Sequence, residues 1–169
     1  MIYTKIRGDF VTNSSSSSFI LAFKNQKELD DFYEDCECYD YEQFAELIKN
    51  LFEEPKSKEE LIDMLYRVRS FDYEDKLFNE YIKGKELSWR EKIDLRSNLK
   101  KEQWFIDKIY LHTINNTDYL KKKKQIEESE FVVDGMIWDT SGGLLEWAIR
   151  NGFIEDNFRR NCVMRYNVG

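Results

Sequence analysis

The chain has 169 residues, of which 41% are hydrophobic, 15% aromatic and 35% charged, and its formal net charge is −7. This length suits one domain with a buried core, and the apolar and aromatic content excludes a disordered polyelectrolyte. Seven glycines and one proline exclude collagen-like and proline-rich chains. No apolar run approaches the ~20 residues that span a bilayer, and the first residues lack the apolar stretch of a signal peptide. We therefore expect a cytoplasmic protein without a membrane partner.

Strands are predicted in the first part of the chain. Alternation and a β-rich composition indicate strands at 2–7, 9–11 and 18–23, and the polar tract 12–17 is predicted to connect them. We expect these segments to form an N-terminal β-hairpin within residues 1–24.

Helices are predicted across the middle of the chain, residues 26–128. Apolar residues recur at helical spacing from Gln26 onward, and again in a segment that ends before Pro55. Further along, Asp72 is expected to cap a separate short helix that stops near Gly84.

Two capping boxes predict where further helices begin. In this pattern a serine hydroxyl and a glutamate three residues later satisfy backbone donors reciprocally. Ser57 with Glu60 is predicted to open one helix, and Ser88 with Glu91 a longer helical stretch that continues to Ile109.

The chain returns to strands after a polar helix predicted at 118–128. Strands at 131–133 and 136–138 could form a hairpin that turns at the Asp-Gly dipeptide 134–135, which is a strong turn signal. A last strand is predicted at 162–168.

These elements predict an α+β fold in a single domain, residues 1–169. The N-terminal hairpin and the strands of the C-terminal β/α segment, residues 129–169, would form a small, mostly antiparallel sheet. The sheet would pack against a central helical layer.

Five consecutive serines, residues 14–18, form the most distinctive stretch of the sequence. Serine hydroxyls stabilise turns, so the tract can be a structural connection, although recognition or modification of the tract and direct chemistry remain alternatives. The segment 9–19, DFVTNSSSSSF, resembles the opening of uncharacterised bacterial and mobile-element proteins. The resemblance implies an accessory protein of an AT-rich bacterial genome, and it carries no activity and no site residues over to this chain.

The residues that ligate metals or catalyse reactions are few and scattered. Cys36, Cys38 and Cys162 match neither a disulfide framework nor the paired spacing of a zinc site, and His112 is the only histidine. We therefore expect no metal, no cofactor and no catalytic residue. The lysine run 121–124 has no interleaved aromatics, so direct nucleic-acid binding is not expected either.

Negative charge is concentrated in one segment. Between residues 28 and 54 there are eleven carboxylates and one lysine, together with six aromatic residues. Carboxylates attract basic partners at long range, and aromatic rings supply contact area, so this segment predicts a protein-binding face. The predicted partner-binding residues are Asp30, Asp31, Tyr33, Glu34, Asp35, Glu37, Tyr39, Asp40 and Tyr41. We interpret the chain as a non-enzymatic accessory or inhibitory factor that engages a basic protein, in one form by competing with nucleic acid.

A small enzyme is the alternative interpretation. It would act on a phosphate-containing or nucleotide ligand in a polar pocket where the terminal strands meet. The candidate pocket residues are Asp9, Asn13, Ser14, Asp134, Asp139, Ser141 and Arg165.

Overall fold

The computed structural model describes residues 16–38, 42–137 and 161–168. Within these ranges the protein has an α+β fold of three strands and six helices. The strands are β1 (Ser16–Phe23), β2 (Phe131–Ile137) and β3 (Cys162–Val168). The helices are α1 (Gln26–Cys38), α2 (Glu42–Leu51), α3 (Lys58–Ile82), α4 (Trp89–Leu99), α5 (Gln103–Ile114) and α6 (Thr117–Glu128). None of the helices in the described ranges is both long and apolar enough to cross a membrane.

The three strands form one antiparallel sheet in the order β2-β1-β3, with β1 in the centre. Residues 17–23 of β1 pair with β2, and residues 16–21 pair with β3, with a register shift between Ile20 and Leu21. The predicted strand at 162–168 is confirmed. Both edges of β1 are thus occupied by strands that lie more than a hundred residues later in the chain.

The N-terminal prediction is corrected in one respect. β1 begins two residues earlier than expected, because Ser16 pairs with Val168 and Ser17 with Asn167, so these two serines belong to the sheet and not to a connection. The sheet neighbours of β1 in the described structure are β2 and β3. The other strands of the predicted hairpin, at 2–7 and 9–11, lie outside the described residues.

The predicted hairpin at Asp134 and Gly135 is wrong, because β2 continues through both residues as one strand. Gly135 lies opposite Phe19 of β1. A Cβ at Gly135 would lie 2.5 Å from Cζ of Phe19 and 2.6 Å from Cδ1 of Leu51, so only glycine lets these side chains approach the strand so closely. The glycine serves close packing and not a turn.

The chain divides into two compact units, Met1–Leu61 with Lys124–Gly169 (unit 1) and Ile62–Lys123 (unit 2). The core of unit 1 is formed by residues of β1, β2, α1 and α2. Its buried members are Phe19, Leu21, Phe23, Leu29, Phe32, Cys36, Ala45, Ile48 and Val133. Ile20 and Ala22 are buried as well, and because successive strand residues point to opposite faces, residues 19–23 of β1 are buried on both faces.

The helix starts at both capping boxes are confirmed. Oγ of Ser57 accepts from the backbone N–H of Glu60 at 3.2 Å, and the Glu60 carboxylate accepts from the backbone N–H of Ser57 at 2.9 Å. Ser88 and Glu91 form the same reciprocal pair at the start of α4. These hydrogen bonds lower the pKa of both glutamates below the ordinary value.

Two predicted helix boundaries in unit 2 are corrected. α3 continues through Asp72, whose side chain remains exposed on a helix of 25 residues, so no second helix begins there. The long helix predicted after Ser88 is broken between α4 and α5, where backbone N–H groups of Lys101 and Glu102 bond to carbonyls three residues earlier. Leu99 and Phe105 on either side of this break both enter the core of unit 2.

Arg96 makes ion pairs and cation–π contacts at the edge of that core. Its guanidinium pairs with Glu74 and Asp75, and its central carbon lies 5.4 Å from the ring centroids of both Phe71 and Phe78. Burial is the largest single influence on the pKa of Arg96, and it lowers that pKa. The hydrogen bonds and charges of the two carboxylates together outweigh burial, so the pKa of Arg96 is raised above its ordinary value.

Substitution Gly135→Ala should destabilise unit 1 by about 1–3 kcal/mol, since the added methyl group overpacks the site against Phe19 and Leu51. Urea unfolding measures the loss. Gly84→Asn is the control, because Gly84 has φ +81° and open space, and asparagine tolerates that conformation. In a double-mutant cycle, Phe19→Leu should reduce the cost of Gly135→Ala; strictly additive costs would contradict this packing account.

Candidate functional site

Helix α1 has one apolar face and one acidic face. Leu29, Phe32 and Cys36 recur at helical spacing and are buried in the core of unit 1. This orientation leaves Asp30, Asp31 and Glu34, three of the predicted partner-binding residues, exposed on the same helix; we call these three residues the acidic face.

Local hydrogen bonds fix the start of α1. Oδ1 of Asn25 accepts from the backbone N–H of Glu28 at 3.0 Å, and the Glu28 carboxylate accepts from the N–H of Lys24 at 2.7 Å. A side-chain cap of this kind typically contributes about 1 kcal/mol to helix stability. The helix that carries the acidic face is therefore well anchored at its N-terminus.

Two carboxylates of the acidic face make weak contacts within α1. Asp30 accepts from Nε2 of Gln26 at 2.8 Å, and Asp31 pairs with Lys27 at 3.3 Å, where both side chains are exposed. Exposed pairs of this kind contribute little stability because water screens them. The negative charge thus remains available to a partner.

Tyr33 lies beside the acidic face and is half-buried. Nζ of Lys49 lies 4.8 Å from its ring centroid, at cation–π distance, and the ring is in edge contact with Phe32. Burial raises the pKa of the Tyr33 phenol above its ordinary value, and the charges of Cys36 and Asp30 act in the same direction. The phenol is therefore neutral at physiological pH and can donate a hydrogen bond.

The remaining predicted partner-binding residues are described less fully. Asp35 and Glu37 belong to α1, and only their place in the helix is described. Tyr39, Asp40 and Tyr41 lie outside the described residues. The structure therefore brings together Asp30, Asp31, Glu34 and Tyr33.

An open groove of about 590 Å³ is lined in part by Tyr33, and all of its described lining residues belong to unit 1. We call it the lysine groove. Its lining combines apolar and aromatic side chains with three lysines and one glutamate: Leu29, Tyr33, Lys49, Phe52, Pro55, Lys56, Lys58, Glu130, Phe131 and Val132. Sequence reasoning missed this groove, because its lining comes from two parts of the chain about seventy residues apart.

The three lysines of the groove have different partners. Lys56 forms a partly buried ion pair with Asp134, whose side chain is only 12% exposed. Nζ of Lys58 donates to the backbone carbonyl of Glu127 at 3.0 Å, and Lys49 lies over the Tyr33 ring. Within the described ranges, neither Lys49 nor Lys58 is paired with a carboxylate, so two lysines outside ion pairs line the groove together with one carboxylate, Glu130.

Of the seven candidate residues of the polar pocket, two lie in the described part of the chain, Asp134 and Arg165. Asp134 lies in β2 opposite Ile20, and Arg165 lies in β3 opposite Phe19, so their backbones occupy successive rows of the sheet. Asp9, Asn13, Ser14, Asp139 and Ser141 lie outside the described residues. The pocket stays a prediction, with Asp134 now assigned an ion-pair partner in Lys56.

The other chemistry-bearing residues do not gather into a second site in the described part of the chain. Cys36 is buried and Cys162 is partly buried, and no group of three or more potential metal ligands occurs there. The His112 ring stacks on Tyr73 with 3.5 Å between centroids and an interplanar angle of 8°. Comparison of the chain with protein families, curated proteins and solved structures gives no match.

The ion pair between Lys56 and Asp134 should contribute to stability. Replacement Lys56→Gln leaves a poorly solvated carboxylate in β2, and we expect a loss of about 1–2 kcal/mol, less than for a fully buried pair because Lys56 is 30% exposed. Chemical denaturation of Lys56→Gln, Asp134→Asn and the double variant measures the coupling. A double variant as costly as the two single variants combined would show that the pair is not coupled.

Proposed function

We propose that the protein is a non-enzymatic binding protein that engages a basic protein surface through the acidic face of α1 and the adjacent Tyr33. The observation that carries the proposal is the position of Asp30, Asp31 and Glu34. They are exposed together on a helix whose opposite side is fixed in the core of unit 1.

The charges of this face suit long-range attraction of a cationic partner. The formal charge is −10 between residues 28 and 54, while the whole chain carries −7. Clustered exposed carboxylates create a local negative potential that raises the rate of encounter with a basic surface and disfavours acidic ones. Because the helix is anchored by its buried face, the carboxylates are presented without a further ordering cost for the backbone.

Tyr33 supplies the aromatic component of the proposed contact. A half-buried tyrosine offers a large rigid contact surface and a neutral hydroxyl next to the carboxylates. Tyrosine is frequent among the residues that dominate binding energy at protein interfaces. A lysine or arginine of the partner can then contact carboxylates on one side and the aromatic ring on the other.

In one form of this proposal, the partner is a nucleic-acid-binding protein and the acidic face competes with nucleic acid for its cationic surface. The resemblance of residues 9–19 to mobile-element proteins agrees with an accessory or inhibitory role of this kind.

The test compares two triple variants with the same net charge. The face variant is Asp30→Asn, Asp31→Asn, Glu34→Gln. The control variant removes three exposed carboxylates of unit 2, as Asp94→Asn, Asp107→Asn, Glu86→Gln. Asp107 is a close match to Asp30, because each accepts a hydrogen bond from a glutamine four residues earlier.

Binding of a fluorescently labelled lysine- and arginine-rich peptide is then measured by anisotropy at low salt. Exposed pairs contribute about 0.2–1 kcal/mol each, so the loss of three should weaken binding to the face variant roughly 3- to 150-fold, while the control variant should lose less than twofold. Equal losses in the two variants would show that only net charge matters and would refute a localised binding face.

A further inference from the structure

We propose that the lysine groove is a binding site for a small organic anion with an aromatic or aliphatic body. This site differs from the acidic face in its ligand, which is anionic and not basic. The inference does not depend on the proposed function, although Tyr33 borders both surfaces.

The size and lining of the groove suit a small molecule. Its volume of about 590 Å³ lies within the range of about 300–1,000 Å³ that is typical of ligand sites. Leu29, Phe52, Pro55, Phe131 and Val132 provide an apolar lining. Phe52 and Phe131 are in edge contact, with 6.3 Å between centroids and an interplanar angle of 88°, so they provide aromatic walls against which a ring or alkyl chain can lose water.

The polar groups of the groove select negative charge. Among the described residues of its lining are three lysines and one glutamate, in a protein with an overall excess of acidic residues. Asp134 compensates Lys56, whereas the contacts of Lys49 and Lys58 are to an aromatic ring and a backbone carbonyl. Those two contacts leave the ammonium charges in place, and Glu130 compensates at most one of them, so a carboxylate, sulfonate or phosphate of a ligand can supply a counter-charge.

The apolar lining also argues against a simple inorganic ion as the ligand. A small ion would leave the aromatic walls in water and gain only screened attraction from exposed lysines. An anion with an apolar body gains from both parts of the groove, because burial of apolar area adds roughly 25 cal/mol per Å².

The experiment uses two dyes that differ in charge. One is 8-anilinonaphthalene-1-sulfonate, and the other is N-phenyl-1-naphthylamine, which has the same ring system without the sulfonate. The site variant is Lys49→Gln, Lys58→Gln in the full chain. The control variant is Lys83→Gln, Lys121→Gln, which removes the same charge from exposed positions outside the groove. Circular dichroism confirms that the variants are folded.

The charged dye should bind the site variant roughly five- to tenfold more weakly than the unmodified protein, and the control variant within twofold, since two exposed charge contacts are removed only from the groove. The neutral dye should bind all three proteins within twofold. Exposed aromatics of unit 2, such as Trp89 and Trp104, offer the charged dye another surface. If the affinity of the charged dye is unchanged in the site variant, or falls equally in the control variant, the proposal is overturned. The same holds if the neutral dye loses affinity in parallel with the charged one.

Discussion

Unit 1 depends on the burial of residues 19–23 in the central strand β1. Residues 19–23 are apolar without interruption, and each is at most 2% exposed. Their two faces are covered. Residues 19–23 all pair with β2, and residues 19–21 also pair with β3 on the other edge, so hydrophobic contacts and backbone hydrogen bonds of unit 1 both converge on this strand. Full burial of each large side chain contributes about 1.5–3 kcal/mol, and no other strand in the described structure is enclosed on both edges.

The candidate surfaces follow from this arrangement. The Phe23 ring packs on Phe32 at 5.2 Å between centroids, which fixes the inner face of α1 and turns its carboxylates to solvent. On β2, Gly135 admits Phe19 and Leu51, so α2 approaches the sheet closely. The groove is lined by residues of α1, α2, the following turn, the start of α3 and the start of β2, all within unit 1. One tightly packed strand thus supports an acidic face and a basic groove that meet at Tyr33.

Much of the fold could be predicted because its signals are local. The capping boxes at Ser57 and Ser88 act through residues three positions apart, and both helix starts are as predicted. The α+β class followed from periodicity in the same way. The errors arose at positions where packing, and not the local sequence, determines the backbone structure. Asp134-Gly135 carries a hairpin signal, but the glycine is required by the Phe19 ring, which lies more than a hundred residues away. Asp72 is a good cap residue, yet the helix continues through it.

The candidate site was predictable only in part. The acidic face could be recognised, because charge and apolar spacing within α1 are visible in the sequence. The groove could not, since Lys49, Lys56 and Lys58 become neighbours of Phe131 only when the sheet forms. The ion pair of Lys56 with Asp134 likewise joins residues 78 positions apart, which no local pattern indicates.

Native-state hydrogen exchange tests the central role of β1 most directly. The amides of residues 19–23 should be among the slowest to exchange in unit 1, and they should exchange with the free energy of global unfolding, because opening β1 removes the core on which α1 and α2 pack. Faster exchange in β1 while the amides of α1 and α2 remain protected would contradict this account. It would show that the helices hold together without the strand.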